Sequence, residues 1–130
     1  MTAFATKPLP AAPDSNAPDG SEVRILLALA SGSMAHFRLA ERQVSRAVRH
    51  RTVEEIWYVT KGSGDLWRLQ GGREQVTGLL PGVCVTIPRG ATFQFRAAPH
   101  EGLEIVGVTM PPWPGPDEAV EAEGPWAATV

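Results

Sequence analysis

The sequence predicts an all-β fold, a small barrel or sandwich, and three observations carry that expectation. Gly or Pro interrupts the middle of the chain about every eight to ten residues, the spacing of short strands and tight turns. The 13 Gly and 12 Pro find a natural place at such corners. The segments between them either alternate apolar and polar residues or are rich in β-branched and aromatic ones. No window holds a sustained helical period.

Taken in order, residues 23–30 form an apolar run bounded by polar residues. Residues 33–39 alternate, with Ala35, Phe37 and Leu39 on one face and Met34, His36 and Arg38 on the other. Residues 44–50 alternate again and set Val44, Arg46, Val48 and His50 on one side. Residues 55–60 carry Ile56, Trp57, Tyr58 and Val59, all strong β-formers. Lys61-Gly62-Ser63-Gly64 turns the chain into residues 65–70, and Gly71-Gly72 turns it again into 74–79. Pro81-Gly82 opens 83–87 and Pro88-Arg89-Gly90 closes it, leaving 92–97 and 103–110 as the last strands.

Residues 1–20 are rich in Pro, Ala, Asp and Asn without an apolar period, and read as an extended or disordered arm. Residues 21–110 read as the barrel. In residues 111–130, Pro111, Pro112, Pro114 and Pro116 argue against regular structure, and Asp117, Glu118, Glu121 and Glu123 make an acidic stretch. Trp113 and Trp126 lie in the same tail, and tryptophan is costly to leave in water. The tail is therefore expected to pack on the barrel or on a partner.

The formal charge of −2 gives no overall pull toward nucleic acid. Arg38, Arg42, Arg46, Arg49 and Arg51 crowd one stretch, but no interleaved aromatics accompany them, and a solvated strand face or subunit contact is the plainer reading. The longest apolar run, residues 25–30, is far short of the roughly 20 residues of a spanning helix, so no membrane partner is expected. A lone cysteine, Cys84, and a start without a signal-peptide core point to the cytoplasm. Cys84 itself reads as a small buried hydrophobe. His100, in Ala-Pro-His-Glu-Gly, reads as an exposed turn residue.

Two stretches carry a family resemblance. From His50 to Gly64 the chain has His50, four residues, Glu55, six residues and Gly62. From Gly82 it has five residues, then Pro88-Arg89-Gly90. These resemble the two conserved motifs of the cupin superfamily, His-x-His–Glu–Gly and Gly–Pro-x-Gly–His–Asn, and the likeness covers residues 21–110. Within the superfamily the chain is most similar to small single-domain bacterial cupins ending in a Met-Pro-Pro-Trp-Pro-Gly segment, here Met110 to Gly115. The resemblance implies a double-stranded β-helix, a jelly-roll-like barrel of two antiparallel sheets. It also implies a metal held by three His and one Glu, but Val48 and Phe93 stand at two of the His positions and Ala97 at the Asn position. Only His50 and Glu55 remain, so no tightly bound metal is expected; a cofactor, if any, would be a weakly held divalent transition metal on those two residues.

If the family's geometry carries over, Val48 and His50, Glu55 and Trp57, and Phe93 and Phe95 all face the barrel interior. That describes an apolar, aromatic-walled site for a small organic molecule with one base and one acid, His50 and Glu55, as the catalytic pair. A carboxylate beside an imidazole raises its basicity, while apolar walls raise the carboxylate's own pKa. His36 is a further ligand-binding candidate from a neighbouring strand. Three functions stay open: metal-independent proton transfer of the isomerase, epimerase, cyclase or lyase kind; ligand binding or sensing without catalysis; and a divalent-metal enzyme with a reduced ligand set. An exposed edge at residues 23–30 makes a homodimer the expected assembly.

Overall fold

The computed structural model describes residues 2–130 and is built from strands, with one 3-10 turn and no α-helix among those residues. Nine strands follow the expected segments: β2 (Glu22–Leu29), β3 (Gly32–Leu39), β4 (Val48–His50), β5 (Glu54–Gly62), β6 (Gly64–Gln70), β7 (Arg73–Leu79), β8 (Cys84–Ile87), β9 (Thr92–Ala97) and β10 (Leu103–Met110). Two short ones, β1 (Ser15–Asn16) and β11 (Ala119–Glu121), lie in the chain's arms. They form two antiparallel sheets in the orders β1-β2-β3-β10-β5-β8 and β11-β4-β9-β6-β7. The pair of sheets is the jelly-roll, double-stranded β-helix arrangement that the motifs imply. Among the described residues no helix is long and apolar enough to cross a membrane.

Alternation within each strand decides what fills the space between the sheets. On β5, Glu55, Trp57 and Val59 are buried while Ile56 and Tyr58 are exposed. On β10, Leu103 and Ile105 enter the core, and Gly107 opposes Trp57 across the strand pair. A Cβ at Gly107 would come within 3.0 Å of the Phe37 ring and 3.2 Å of the Trp57 ring, so the absence of a side chain there makes room for both aromatics. Gly62 is needed for another reason: its φ is +79° and a Cβ would sit 1.7 Å from the Gly102 carbonyl oxygen.

Four sequence expectations are corrected. The strand expected over residues 44–50 is regular only from Val48, with an isolated bridge from Val44 to Arg96. Between them Ser45 N–H still donates to the Phe95 carbonyl of β9, but Arg46 N–H donates to the Asp19 carbonyl, and the Gln94 side chain, through Nε2, donates to the Ser45 carbonyl. The proline-rich tail contains regular structure, because residues 117–124 are free of proline and can make a 3-10 turn (Pro116–Glu118) and β11. Cys84 is exposed, since Val85 and Ile87 take the inward positions of β8. The edge at residues 23–30 is not bare: β1 pairs with Glu22 and Val23, Asp14 accepts from Ile25 N–H, and Lys7 Nζ donates to the Ile25 carbonyl.

Candidate functional site

A cavity of about 630 Å³ opens between the sheets. Of the residues singled out in the sequence, Val48, His50, Glu55, Trp57 and Phe93 line it together. Val48 and His50 come from alternate positions of β4, Glu55 and Trp57 from alternate positions of β5, and Phe93 pairs directly with Val48 across β4 and β9. Phe95 stands one layer behind, with its ring centroid 5.0 Å from that of Trp57, and supports the wall rather than forming it. His36 does not join them. It lies on the other face of β3, where its Nε2 is 3.0 Å from Glu104, because Ala35 and Phe37 take the cavity-facing positions.

Several cavity residues come from outside the barrel, Trp113 and Asp19 among them, and left no periodic signal in the sequence. Trp113 of the tail packs edge-on against His50, centroid to centroid 5.2 Å. Its backbone N–H donates to Ser33 Oγ. Asp19 enters from a turn after β1; its Oδ1 accepts bonds from Ser21 N–H and Ser21 Oγ, which fix the carboxyl. A second tail residue, Glu118, acts next door. Its buried carboxylate accepts from Thr52 Oγ1 and from the Thr52 and Val53 N–H groups, and so holds the loop between β4 and β5 that carries His50 toward Glu55.

Electrostatics sharpen the central pair. Glu55 Oε1 lies 3.5 Å from His50 Nδ1, and the other carboxylate oxygen accepts from Trp57 Nε1–H. Burial pushes the Glu55 carboxyl up to about 7; the Trp57 bond opposes this and the Asp19 carboxylate adds to it. Burial also pushes His50 down to about 4, against the pull of Glu118. The expectation that a neighbouring carboxylate raises the imidazole's basicity is thus reversed here, because desolvation is the larger effect. Near neutral pH His50 is uncharged and Glu55 is poised between its two forms. His50 Nδ1 is buried and has no hydrogen-bond partner.

The metal implied by the resemblance does not fit these residues. Val48 and Phe93 offer no donor atoms, and among the described residues no group of three or more His, Cys, Asp or Glu converges. One imidazole and one carboxylate leave most of an ion's coordination to water.

No protein-family model matches the chain, and no curated protein is similar to it in sequence. Solved structures are similar in fold. A recombinant oxalate oxidase in complex with glycolate is 25% identical with a TM-score of 0.70, over 91% of this chain and 62% of that one. A mutant of the Bacillus subtilis oxalate decarboxylase OxdC is 17% identical with a TM-score of 0.71, over 78% of this chain and 28% of that one. KdgF from Halomonas sp. is 16% identical with a TM-score of 0.60, over 71% and 81%. This topology, with Glu55, Gly62, Gly82, Pro88 and Gly90 at the motif positions on it, gives the chain the cupin fold that these solved structures share.

Proposed function

We propose that this cupin binds a small organic molecule between its sheets and moves a proton on it with Glu55 and His50, without a metal. The observation that carries the reading is the placement of two complementary groups, a carboxyl and an uncharged imidazole 3.5 Å apart, at the wall of an otherwise largely apolar cavity. A carboxyl titrating at about 7 is matched to accept or give a proton at neutral pH. For a ligand with an acidic C–H beside a carbonyl, the Glu55 carboxylate takes the proton and the C–H electron pair becomes the enolate. His50, in its N–H tautomer toward the ligand, donates a hydrogen bond to the enolate oxygen. A proton returned to the opposite face of the same carbon makes the net change an epimerisation; where a β,γ double bond extends the enolate to a dienolate, its return to the γ-carbon makes it an isomerisation. The Trp57 N–H keeps the carboxyl oriented throughout. No Lys or Arg lines the cavity, which argues against small anions of the oxalate or glycolate kind.

Solvent exchange tests this directly. In D2O, aryl ketones and lactones with an acidic α C–H, with and without an amino group, should lose the α-proton signal in the presence of the protein. Glu55→Gln and His50→Ala should each slow that exchange by about 10² or more. Exchange no faster than in buffer for panel members that quench Trp fluorescence would leave a binding or sensing protein instead; equal exchange by both variants would remove the pair from the reaction. A homodimer and a cytoplasmic setting belong to the same proposal. The first is supported by Met34, Ile56 and Tyr58 exposed on the outer face of the six-stranded sheet, the second by the unpaired thiol of Cys84. Gel filtration at micromolar concentration showing a monomer would refute the dimer.

A further inference from the structure

The cavity contains more acid than the proton-transfer pair requires. Asp19 has no part in the steps above, yet its side chain is 93% buried and lines the same space as Glu55. Its Oδ1 is occupied by Ser21, while Oδ2 has no hydrogen bond among the described residues. Among the described residues no Lys or Arg lines the space; Arg46 acts on Asp19 from outside it. Ser15, Asn16, Ser33 and Thr109 add only neutral polar groups to the lining, and His50 is uncharged near neutral pH and offers an unpartnered buried nitrogen. Around these acceptors stand Phe37, Trp57, Phe93 and Trp113, four π-systems that attract cations.

We propose that the cavity is built for a protonated organic amine, with its ammonium group held between Glu55 and His50 Nδ1, which lie 3.5 Å apart, the Asp19 carboxylate adding negative potential from the same cavity, and its apolar body among the aromatic rings. This rests on reading the cavity as the ligand site and not on the proton transfer. An ammonium is a donor without acceptor capacity, which complements a set of groups that chiefly accept. It also supplies a positive charge that the cavity's own lining does not. Both carboxyls are held above the usual carboxylate range by burial, and each ionises more readily beside a cation. An anion meets only repulsion here, and a neutral analogue leaves the carboxyls as they are.

Three probes of one shape separate the possibilities: 2-phenylethylammonium, 2-phenylethanol and 3-phenylpropionate, titrated calorimetrically into the wild-type protein at pH 8. The ammonium should bind about tenfold or more tightly than the alcohol, and the carboxylate weakest. Asp19→Asn keeps the oxygen that accepts from Ser21, and Glu55→Gln keeps one that accepts from Trp57, so both should fold. Each should weaken the ammonium about tenfold and leave the alcohol unchanged. Equal or tighter binding of the alcohol or the carboxylate overturns the amine while leaving the cavity as a ligand site. Unchanged ammonium affinity in Asp19→Asn overturns the role of that carboxyl. Failure of all three probes to bind overturns this proposal and the ligand-binding reading beneath it.

Discussion

At the scale of single residues, Glu55 and His50 oppose each other in their effect on stability. Glu55 titrates above its ordinary 4.5, at about 7, so its contribution to folding is complete below 4.5 and lost as pH rises through 7. His50 titrates below its ordinary 6.5, at about 4, so its contribution is complete above 6.5 and lost as pH falls toward 4. Between pH 4.5 and 6.5 the two slopes run in opposite directions and largely cancel. Glu55→Gln removes one of them. In urea unfolding, the variant should lose about 2 kcal/mol more than wild type on going from pH 6.5 to 4.5. Parallel curves would mean that Glu55 is not desolvated. The inward placement of both residues was legible, because strand alternation and motif spacing specify it. The direction of the His50 shift was not, since it depends on how completely the neighbours exclude water. Asp19 was not legible either: nothing in the residues before Gly20 indicates that a turn will aim one carboxyl inward.

At the scale of elements, β4 and β9 set two apolar side chains beside the central pair. Val48 and Phe93 are direct partners in the ladder and face the same space as His50 and Glu55. Val48→His with Phe93→His therefore adds two imidazoles beside the residual pair, completing a four-ligand set. The double variant should bind Zn²⁺ or Ni²⁺ at micromolar concentration or below, roughly, by calorimetry, and wild type should show no comparable site. No binding by a folded variant would mean that the strand spacing no longer suits an ion. The turn between β5 and β6 is equally specific. Gly62→Ala combines positive φ with a backbone clash and should cost at least about 2 kcal/mol in urea unfolding. Most strands were readable from alternation, whereas β1 and β11 were not, being too short to show a period and set by what they dock against. The shortening of β4 was hidden for a related reason, its missing ladder partners coming from the distant Asp19 and Gln94.

At the scale of the whole molecule, the two arms are part of the barrel's wall. The tail is attached through β11 on β4, through Gln94 to Trp126, and through Ala122 N–H to the Ala47 carbonyl. The Glu118 carboxylate is a separate anchor, held below the usual carboxylate range because its hydrogen bonds from Thr52 and Val53 outweigh the burial that pushes it up. Glu118→Ala should cost about 2 kcal/mol, because it leaves backbone N–H groups at Thr52 and Val53 without their partner. It should also hasten amide hydrogen exchange over residues 117–122 relative to β5 and β10; uniform exchange would show that the anchor is not local. That tryptophans draw the tail inward was readable from composition, but their target was not, because packing across distant strands chooses it. The turn that carries Asp19 and the tail that carries Trp113 lie outside the strands β2 to β10 that form the main ladders. Exchanging residues 111–121 and 14–20 between barrels of this topology would then transplant ligand preference while the recipient sheets kept their register. In such a molecule selectivity is a removable part, fitted to the frame from its two ends.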